Sequence, residues 1–282
     1  GSRRKLSSEN HSKPLVSAII PTHNRVELLK RAIESVLDQT WENMEIVVVD
    51  DASGDDTPQF LKSLSDQHKN LKVIRNQESK GAAASRNIAI QNAKGDFIAG
   101  LDDDDFWRPN RIELLLEEFK DGYSAVTSND RMDFGKKEIV WKKKPVITLH
   151  DLLFYNQVGN QILTKKEYLQ QIGGYDETLQ SAQDYDLWIR LAHDFGPIKT
   201  APHTLQVVNM SDERESITTS DNQIDGYIAC FEKHRNKMNS EQIKYQKYRI
   251  KITEGKSTGW VELIKATPRH LLIKEITRKL FL

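Results

Sequence analysis

Apolar and polar positions along this chain fall into blocks of two kinds. Val16-Ser-Ala-Ile-Ile20, Glu45-Ile-Val-Val-Val49, Leu71-Lys-Val-Ile74 and Asp96-Phe-Ile-Ala-Gly-Leu101 are short apolar runs rich in Val and Ile. Such runs read as strands, and the most continuous of them as strands covered on both faces, as in parallel sheets. Between them the period becomes helical. Leu28, Leu29, Ala32, Ile33, Val36 and Leu37 share one face, with Asn24 placed to cap that helix. Phe60, Leu61 and Leu64 mark a second helix from Thr57, and Ala82 to Ala93 forms a third of small residues. This β-α-β-α-β-α-β alternation predicts an α/β fold with an open, mostly parallel sheet and right-handed crossovers. Further helices are expected from Pro109 to about Phe119, from Lys165 to a Gly173-Gly174 stop, and from Asp184 to Ala192. The stretch from Tyr123 to Val158 follows neither period clearly.

In such sheets ligands bind beyond the carboxyl ends of the strands. Those ends carry Pro21-Thr-His-Asn-Arg25, Asp50-Asp-Ala-Ser-Gly-Asp-Asp56, Arg75-Asn76 and Asp102-Asp-Asp-Asp105. Four consecutive aspartates repel one another, and burying any of them without a partner is costly. A cap on the following helix accounts for Asp105 alone. A divalent-cation site accounts for the rest, because Mg²⁺ and Mn²⁺ take carboxylate oxygens and keep positions open for phosphate oxygens. An ion held there neutralises a diphosphate leaving group. Asp50 and Asp51 admit a second reading, an Asx turn favoured by Ser53-Gly54.

Composition narrows the class. The 282 residues carry 41 Lys+Arg and 41 Asp+Glu, so the formal net charge is zero and nucleic-acid binding is not indicated. The single cysteine, Cys230, excludes an intrachain disulfide; it reads as core packing in a reducing, cytoplasmic setting. Gly1-Ser2 reads as a cloning remnant and residues 1–13 as a loose arm. No apolar run approaches the roughly 18–20 residues of a spanning helix. The short basic runs Lys136-Lys137 and Lys142-Lys-Lys144 read as solvated.

Leu101-Asp-Asp-Asp-Asp-Phe-Trp107 resembles the L-D-x-D-D-x-W segment of inverting, GT-A-fold glycosyltransferases of family two. Val16 to Arg25, Ile46 to Thr57, Gly81-Ala-Ala-Ala-Ser-Arg-Asn87, Gly173-Gly-Tyr-Asp-Glu177 and Gln183-Asp-Tyr-Asp-Leu-Trp-Ile-Arg190 resemble further segments of that family, in order. The resemblance implies a GT-A catalytic domain over 14–220, with a nucleotide-sugar half over 14–107 and an acceptor half over 108–220. Residues 221–282 would then be a helical extension. It also implies roles. Pro21, Thr22 and Asn24 would line the base and ribose, and Asp51 or Asp50 would accept a hydrogen bond from uracil. Arg86 would sit near the donor nucleotide. Asp104 would hold Mn²⁺ or Mg²⁺, and Asp102 the ribose or the metal, with Asp103 between them at the variable place. Asp184 would be the general base that takes a proton from the acceptor hydroxyl, with Asp186 its rival. Gln183 stands where many members have Glu. His203 is a candidate third metal ligand, although it is out of register with the family's histidine.

The implied donor is a nucleotide-sugar, a UDP-sugar above all, and the acceptor a glycan or a lipid-diphosphate-linked chain. In the tail, Leu271, Leu272, Ile276, Leu280 and Phe281 can share one helix face opposite Lys274, Arg278 and Lys279. That pattern over 269–282 fits either packing on the domain or peripheral contact with an anionic membrane. Two other classes remain open. A sugar nucleotidyltransferase is disfavoured by the absence of glycine from the loop after the first strand. A non-catalytic carbohydrate- or nucleotide-binding module is disfavoured by the presence of Asp102, Asp104 and Asp184 together.

Overall fold

A computed structural model describes residues 13–211 and 220–281. Nearly all of the arm expected over 1–13, and the side chain of Phe281, lie outside the described residues. The first half is built as the periodicity predicts: β1 (Val16–Thr22), α1 (Val26–Leu37), β2 (Met44–Asp50), α2 (Thr57–Gln67), β3 (Leu71–Arg75), α3 (Ala82–Asn92) and β4 (Phe97–Gly100). After the acidic turn come β5 (Phe106–Trp107), α4 (Arg111–Glu118), β6 (Ala125–Asp133), β7 (Glu138–Trp141), β8 (Val146–Ile147) and α5 (Leu149–Leu152). Then follow β9 (Leu163–Lys165), α6 (Lys166–Gln171), α7 (Gln183–Phe195) and β10 (Ile198–Asn209). The helices α8 (Ser220–His234), α9 (Ser240–Thr253), α10 (Trp260–Ala266) and α11 (Leu272–Phe281) complete the chain.

One sheet runs in the order β3-β2-β1-β4-β9-β6-β10-β5, with β7 on β6 and β8 on β10. β1 pairs in parallel with β2 and β4, β2 with β3, and β6 with β10. The three-residue β9 runs antiparallel between β4 and β6 and joins the two parallel halves. Alternate side chains of β1 and β2 feed opposite layers, as the two-residue strand period requires. Ile19, Val47 and Val49 pack with α3, α7 and α8, whereas Ala18, Ile20, Ile46 and Val48 pack with α1, α2 and α4.

Two local expectations change. Asn24 does not cap α1. It sits in the left-handed region at φ 53°, and its Oδ1 accepts from the Gly54 amide at 2.7 Å, so it braces the loop after β2. The first turn of α1 is met instead by Asp55, whose Oδ2 accepts from the Val26 amide at 3.3 Å. Lys143 is not solvated: its side chain is 1% exposed and pairs with buried Asp130 at 2.7 Å. That pair, with buried Arg111 donating to Ser128 at 2.7 Å, explains why 123–158 shows no clean period. β6 buries polar side chains against charged ones.

The helix α7 carries Asp184 and is anchored by Asp186, which is fully buried. One Asp186 oxygen accepts from His234 and Lys233 of α8, both at 2.7 Å. The other accepts from Arg190 one turn along, at 2.7–2.8 Å. Arg190 also donates to the carbonyls of Ile172 and Gly174. Burial works to raise the Asp186 pKa, but His234, Arg190 and Lys233 together hold it far below the usual carboxylate range. Asp186 is therefore a strut rather than a base open to substrate. Cys230 packs beside it, 1% exposed, its thiol pushed up to about 12 by burial. The helix α8 also approaches the start of α7 through Gly226. A Cβ there would lie 2.4 Å from the Ser181 amide nitrogen. Among the described residues no helix is long and apolar enough to cross a membrane.

Two outcomes test this scaffold. Gly226→Ala should push α8 away from Ser181 and cost about 1–3 kcal/mol by overpacking, read as a lowered midpoint in thermal unfolding. Asp186→Asn should cost about 3 kcal/mol near pH 7, the scale for removing one partner of a buried ion pair. Asp186 has a depressed folded pKa, so its contribution is present above the unfolded value of about 3.9 and is lost as pH falls below it. Denaturant titrations should therefore show the gap between wild type and Asp186→Asn closing below about pH 4.

Candidate active site

A cleft of about 680 Å³ opens along the carboxyl ends of β1, β2 and β4, within the usual size of a small-molecule site. It gathers Pro21, Thr22, Asp51, Arg86, Asp102, Asp103, Asp104 and Asp184 from five separate parts of the chain. Asn24, Asp50 and His203 do not line it. Asp50 lies beneath the cleft, 1% exposed, paired with Arg75 and accepting from the Ser53 amide at 3.0 Å. His203 is exposed on β10, within a stretch where the strand register slips.

Asp51 organises the nucleotide-side loop. Its two oxygens accept from Asn76 Nδ2, Ser79 Oγ and the Lys80 and Gly81 amides at 2.8–2.9 Å. Burial works to raise its pKa, but these four donors hold it below the usual carboxylate value. The loop they fix leads into α3, which presents Arg86.

The acidic turn is tied from several directions. Thr22 Oγ1 donates to Asp103 at 2.8 Å. Arg25 reaches both Asp103 and Asp104, at 3.2 and 3.3 Å, and Arg31 donates to the Asp104 carbonyl at 3.1 Å. Arg86 pairs with Asp102 at 2.8 Å. Asn160 Nδ2 spans Asp102 and Asp105 at 2.8 and 2.9 Å, and the Asn209 amide donates to Asp105 at 2.9 Å. Burial pushes Asp103 up to about 6, against the pull of Arg25. Burial, with Asp102 and Asp104 beside it, raises Asp105 well above its ordinary value. One oxygen each from Asp102, Asp104 and Asp105 can be chosen so that all lie within 4.8 Å of one another. That all-oxygen, anionic set fits a hard divalent cation such as Mg²⁺ or Mn²⁺.

Across the cleft, Asp184 stands in the first turn of α7 with 23% of its side chain exposed. Arg86 lies 3.9 Å from Asp184 Oδ1, an oxygen that accepts no hydrogen bond. Burial raises the Asp184 pKa well above the carboxylate range; Arg86 opposes the shift and Asp102 adds to it. Arg86 is thus held between two acids, with its guanidinium 5.4 Å over the Tyr175 ring. Burial disfavours its charge, but Asp102 and Asp184 overcome that and keep it cationic.

Sequence reasoning missed three contributors. Arg25 was legible only as part of a turn, Asn160 lies beyond the stretch without clear periodicity, and Asp105 was read as a brace. Asp105 does brace the turn, and it also joins the oxygen cluster. Nothing in linear spacing points to Arg25 or Asn160, because both meet the acids only through the sheet.

Known proteins resemble this chain in sequence and fold. The sequence profile of Glycosyl transferase family 2 matches residues 17–180. A protein of Escherichia coli K12 named as a colanic acid biosynthesis glycosyl transferase, WcaA, is 32% identical over 269 residues, covering 90% of this chain and 93% of its own. Among solved structures, Staphylococcus aureus TarS in complex with UDP-GlcNAc superposes with a TM-score of 0.66 at 17% identity, over 84% of this chain and 72% of that one. The mannosyltransferase PcManGT of Pyrobaculum calidifontis, in complex with GDP-Man and Mn²⁺, gives 0.59 at 18% identity, over 96% and 88%. These structural likenesses bear on the fold. The chain belongs to glycosyl transferase family 2: it is a glycosyltransferase with a GT-A fold and a helical C-terminal region, and it has a relative named for polysaccharide biosynthesis.

Proposed function

We propose that this protein is a metal-dependent inverting glycosyltransferase. It would move a sugar from a UDP-sugar to a hydroxyl of a glycan or lipid-diphosphate-linked acceptor in cell-surface polysaccharide synthesis. One observation carries the reading. Asp184, with 23% of its side chain exposed, borders the same cleft as Asp102 and Asp104 of the Asp102–Asp104–Asp105 oxygen cluster, with the cationic Arg86 between them.

The division of labour follows from that layout. Asp184 takes the proton of the acceptor hydroxyl as its oxygen attacks the anomeric carbon; a raised pKa makes it a stronger base than an ordinary carboxylate. Attack opposite the leaving nucleoside diphosphate inverts the anomeric centre, so a single base suffices and no second carboxylate nucleophile is needed. Asp104 and Asp102, with Asp105, would hold Mn²⁺ or Mg²⁺, which supplies charge neutralisation for the departing diphosphate. Arg86 adds a fixed positive charge on the same side. Pro21, Thr22 and the Asp51-supported loop of residues 79–81 form the nucleotide wall. Within this assignment residues 14–107 are the donor half and 108–220 the acceptor half. UDP as the nucleotide is supported by the TarS complex with UDP-GlcNAc, and a polysaccharide acceptor by the colanic acid relative. A cytoplasmic setting is supported by the single, buried, free Cys230.

The nucleotidyltransferase reading lacks a glycine-rich loop after β1, where Pro21-Thr-His-Asn-Arg25 stands. The binding-module reading gives no use to a partly exposed Asp184 with a raised pKa on the wall of the cleft. A donor panel assayed for nucleotide release with Mn²⁺ separates the three. Asp184→Asn should lower kcat by about 10³-fold, within the typical 10²–10⁴-fold contribution of a general base. Its donor affinity by calorimetry should stay within a factor of two or so of wild type. Chelation should abolish turnover and Mn²⁺ restore it. Near-normal turnover of Asp184→Asn, or full activity in chelator, would overturn the assignment.

A further inference from the structure

The C-terminal helices leave an apolar face uncovered, and it is not the one their periodicity suggests. Leu271 is buried, and Leu272 and Ile276 pack beside it against Tyr245, Tyr248 and Phe154. The face expected to choose between the domain and a membrane is thus spent largely on the domain. Elsewhere on the same helices Trp260, Val261 and Ile264 of α10 are 46%, 65% and 57% exposed, and Ile273 and Leu280 of α11 are 81% and 62% exposed. Among the described residues eight large apolar side chains are exposed, and these are five of them. Trp260 and Ile264 are one turn apart. Ile273 and Leu280 are seven residues apart and so fall on one stripe, opposite the fully buried Glu275. The two helices are locked together, since Lys279 places its ammonium 5.5 Å over the Trp260 ring and donates to the Thr258 carbonyl.

The charge around this face is predominantly positive, with Lys256 paired to Glu254 and Lys274 turned onto the Tyr155 ring. Residues 255–280 carry six Lys or Arg against two Glu. Glu262 is paired with Lys251 at 2.6 Å. Glu275 is buried and held by Tyr245, Arg249 and Arg278. Lys265 and Arg269 are exposed. Clustered exposed apolar side chains on a monomer mark a contact surface. An indole with aliphatic residues, framed by lysines whose stems can lie along an apolar surface, is matched by a bilayer interface of negative headgroups.

We propose that the α10–α11 face, through Trp260, Val261, Ile264, Ile273 and Leu280, docks the protein on an anionic lipid bilayer. This goes beyond the transfer reading and does not depend on it, because no residue of the patch lines the cleft. The test uses the whole chain and vesicles of phosphatidylcholine with or without phosphatidylglycerol. Wild type should co-sediment with the anionic vesicles and release in high salt. Its tryptophan emission should shift to the blue on binding, and Trp260→Phe should lose that shift. Ile273→Glu combined with Leu280→Glu should weaken binding about tenfold or more, since two buried aliphatic contacts become charges facing a like-charged surface. Both positions are exposed, so the thermal midpoint and nucleotide-sugar affinity should be unchanged. The proposal is overturned by absence of vesicle binding, by equal binding to neutral vesicles, or by binding undiminished in the double variant. It is also overturned if wild type is a dimer in solution that the double variant dissolves, which would make the face a contact between copies. Any of these failures leaves the Asp184 and chelation results standing.

Discussion

Four adjacent carboxylates at the end of β4 must be held together against their own repulsion, and the cleft is arranged around that constraint. Asp103, Asp104 and Asp105 are at most 4% exposed, so water screens them poorly. The counter-charges and donors come from distant segments. Arg25 follows β1, Arg86 rides on α3, and the neutral amide of Asn160 reaches in ahead of β9. The two arginines are placed by the parallel pairing of β1 with β2 and β4, and Asn160 by the antiparallel pairing of β9 with β4. The apolar core therefore aligns the strand ends, and the aligned ends make the acidic turn tolerable. The all-oxygen cluster that results fits a hard divalent cation.

The same logic extends to the other wall. Asp184 borders the cleft with its buried Oδ1 3.9 Å from Arg86, whereas its neighbour two residues along carries the structural load. Asp186 takes His234, Lys233 and Arg190, and Arg190 in turn holds the Ile172 and Gly174 carbonyls. The turn so fixed presents Tyr175 beneath Arg86. Asn87, one residue beyond Arg86, bonds the Tyr175 backbone through both ends of its amide. The two carboxylates thus differ in surroundings: Asp186 is fully buried and fully bonded, and Asp184 is partly exposed on the cleft. The C-terminal helices take part through α8, which contributes Lys233 and His234, two of the three side chains bonded to Asp186.

Much of the first half was legible in sequence. The runs at 16–20, 45–49 and 71–74 are apolar because both faces of those strands are covered, and such runs announce themselves without knowledge of their neighbours. The polar clusters that follow them had to lie on one edge once the strands were parallel. The stretch over 123–158 was not legible. β6 carries Thr127, Ser128 and Asp130 into the interior, where Arg111 and Lys143 meet them, so no hydrophobic period survives. Asn24 looked like a helix cap by position, yet its backbone turns left-handed and its side chain serves the Gly54 amide.

By itself the sequence determined the order of strands and helices, the parallel first half, the acids at its edge and the family to which they belong, because these rest on local period and short spacing. Tertiary structure alone decided which acids face the cleft and which lie beneath it. It separated Asp51 from Asp50, and Asp184 from Asp186, and left His203 on the surface. It also chose which face of α10 and α11 stays in water. Neighbouring carboxylates are alike along the chain; they differ only in the cations and amides that folding brings to them from far away, and burial makes those partners decisive.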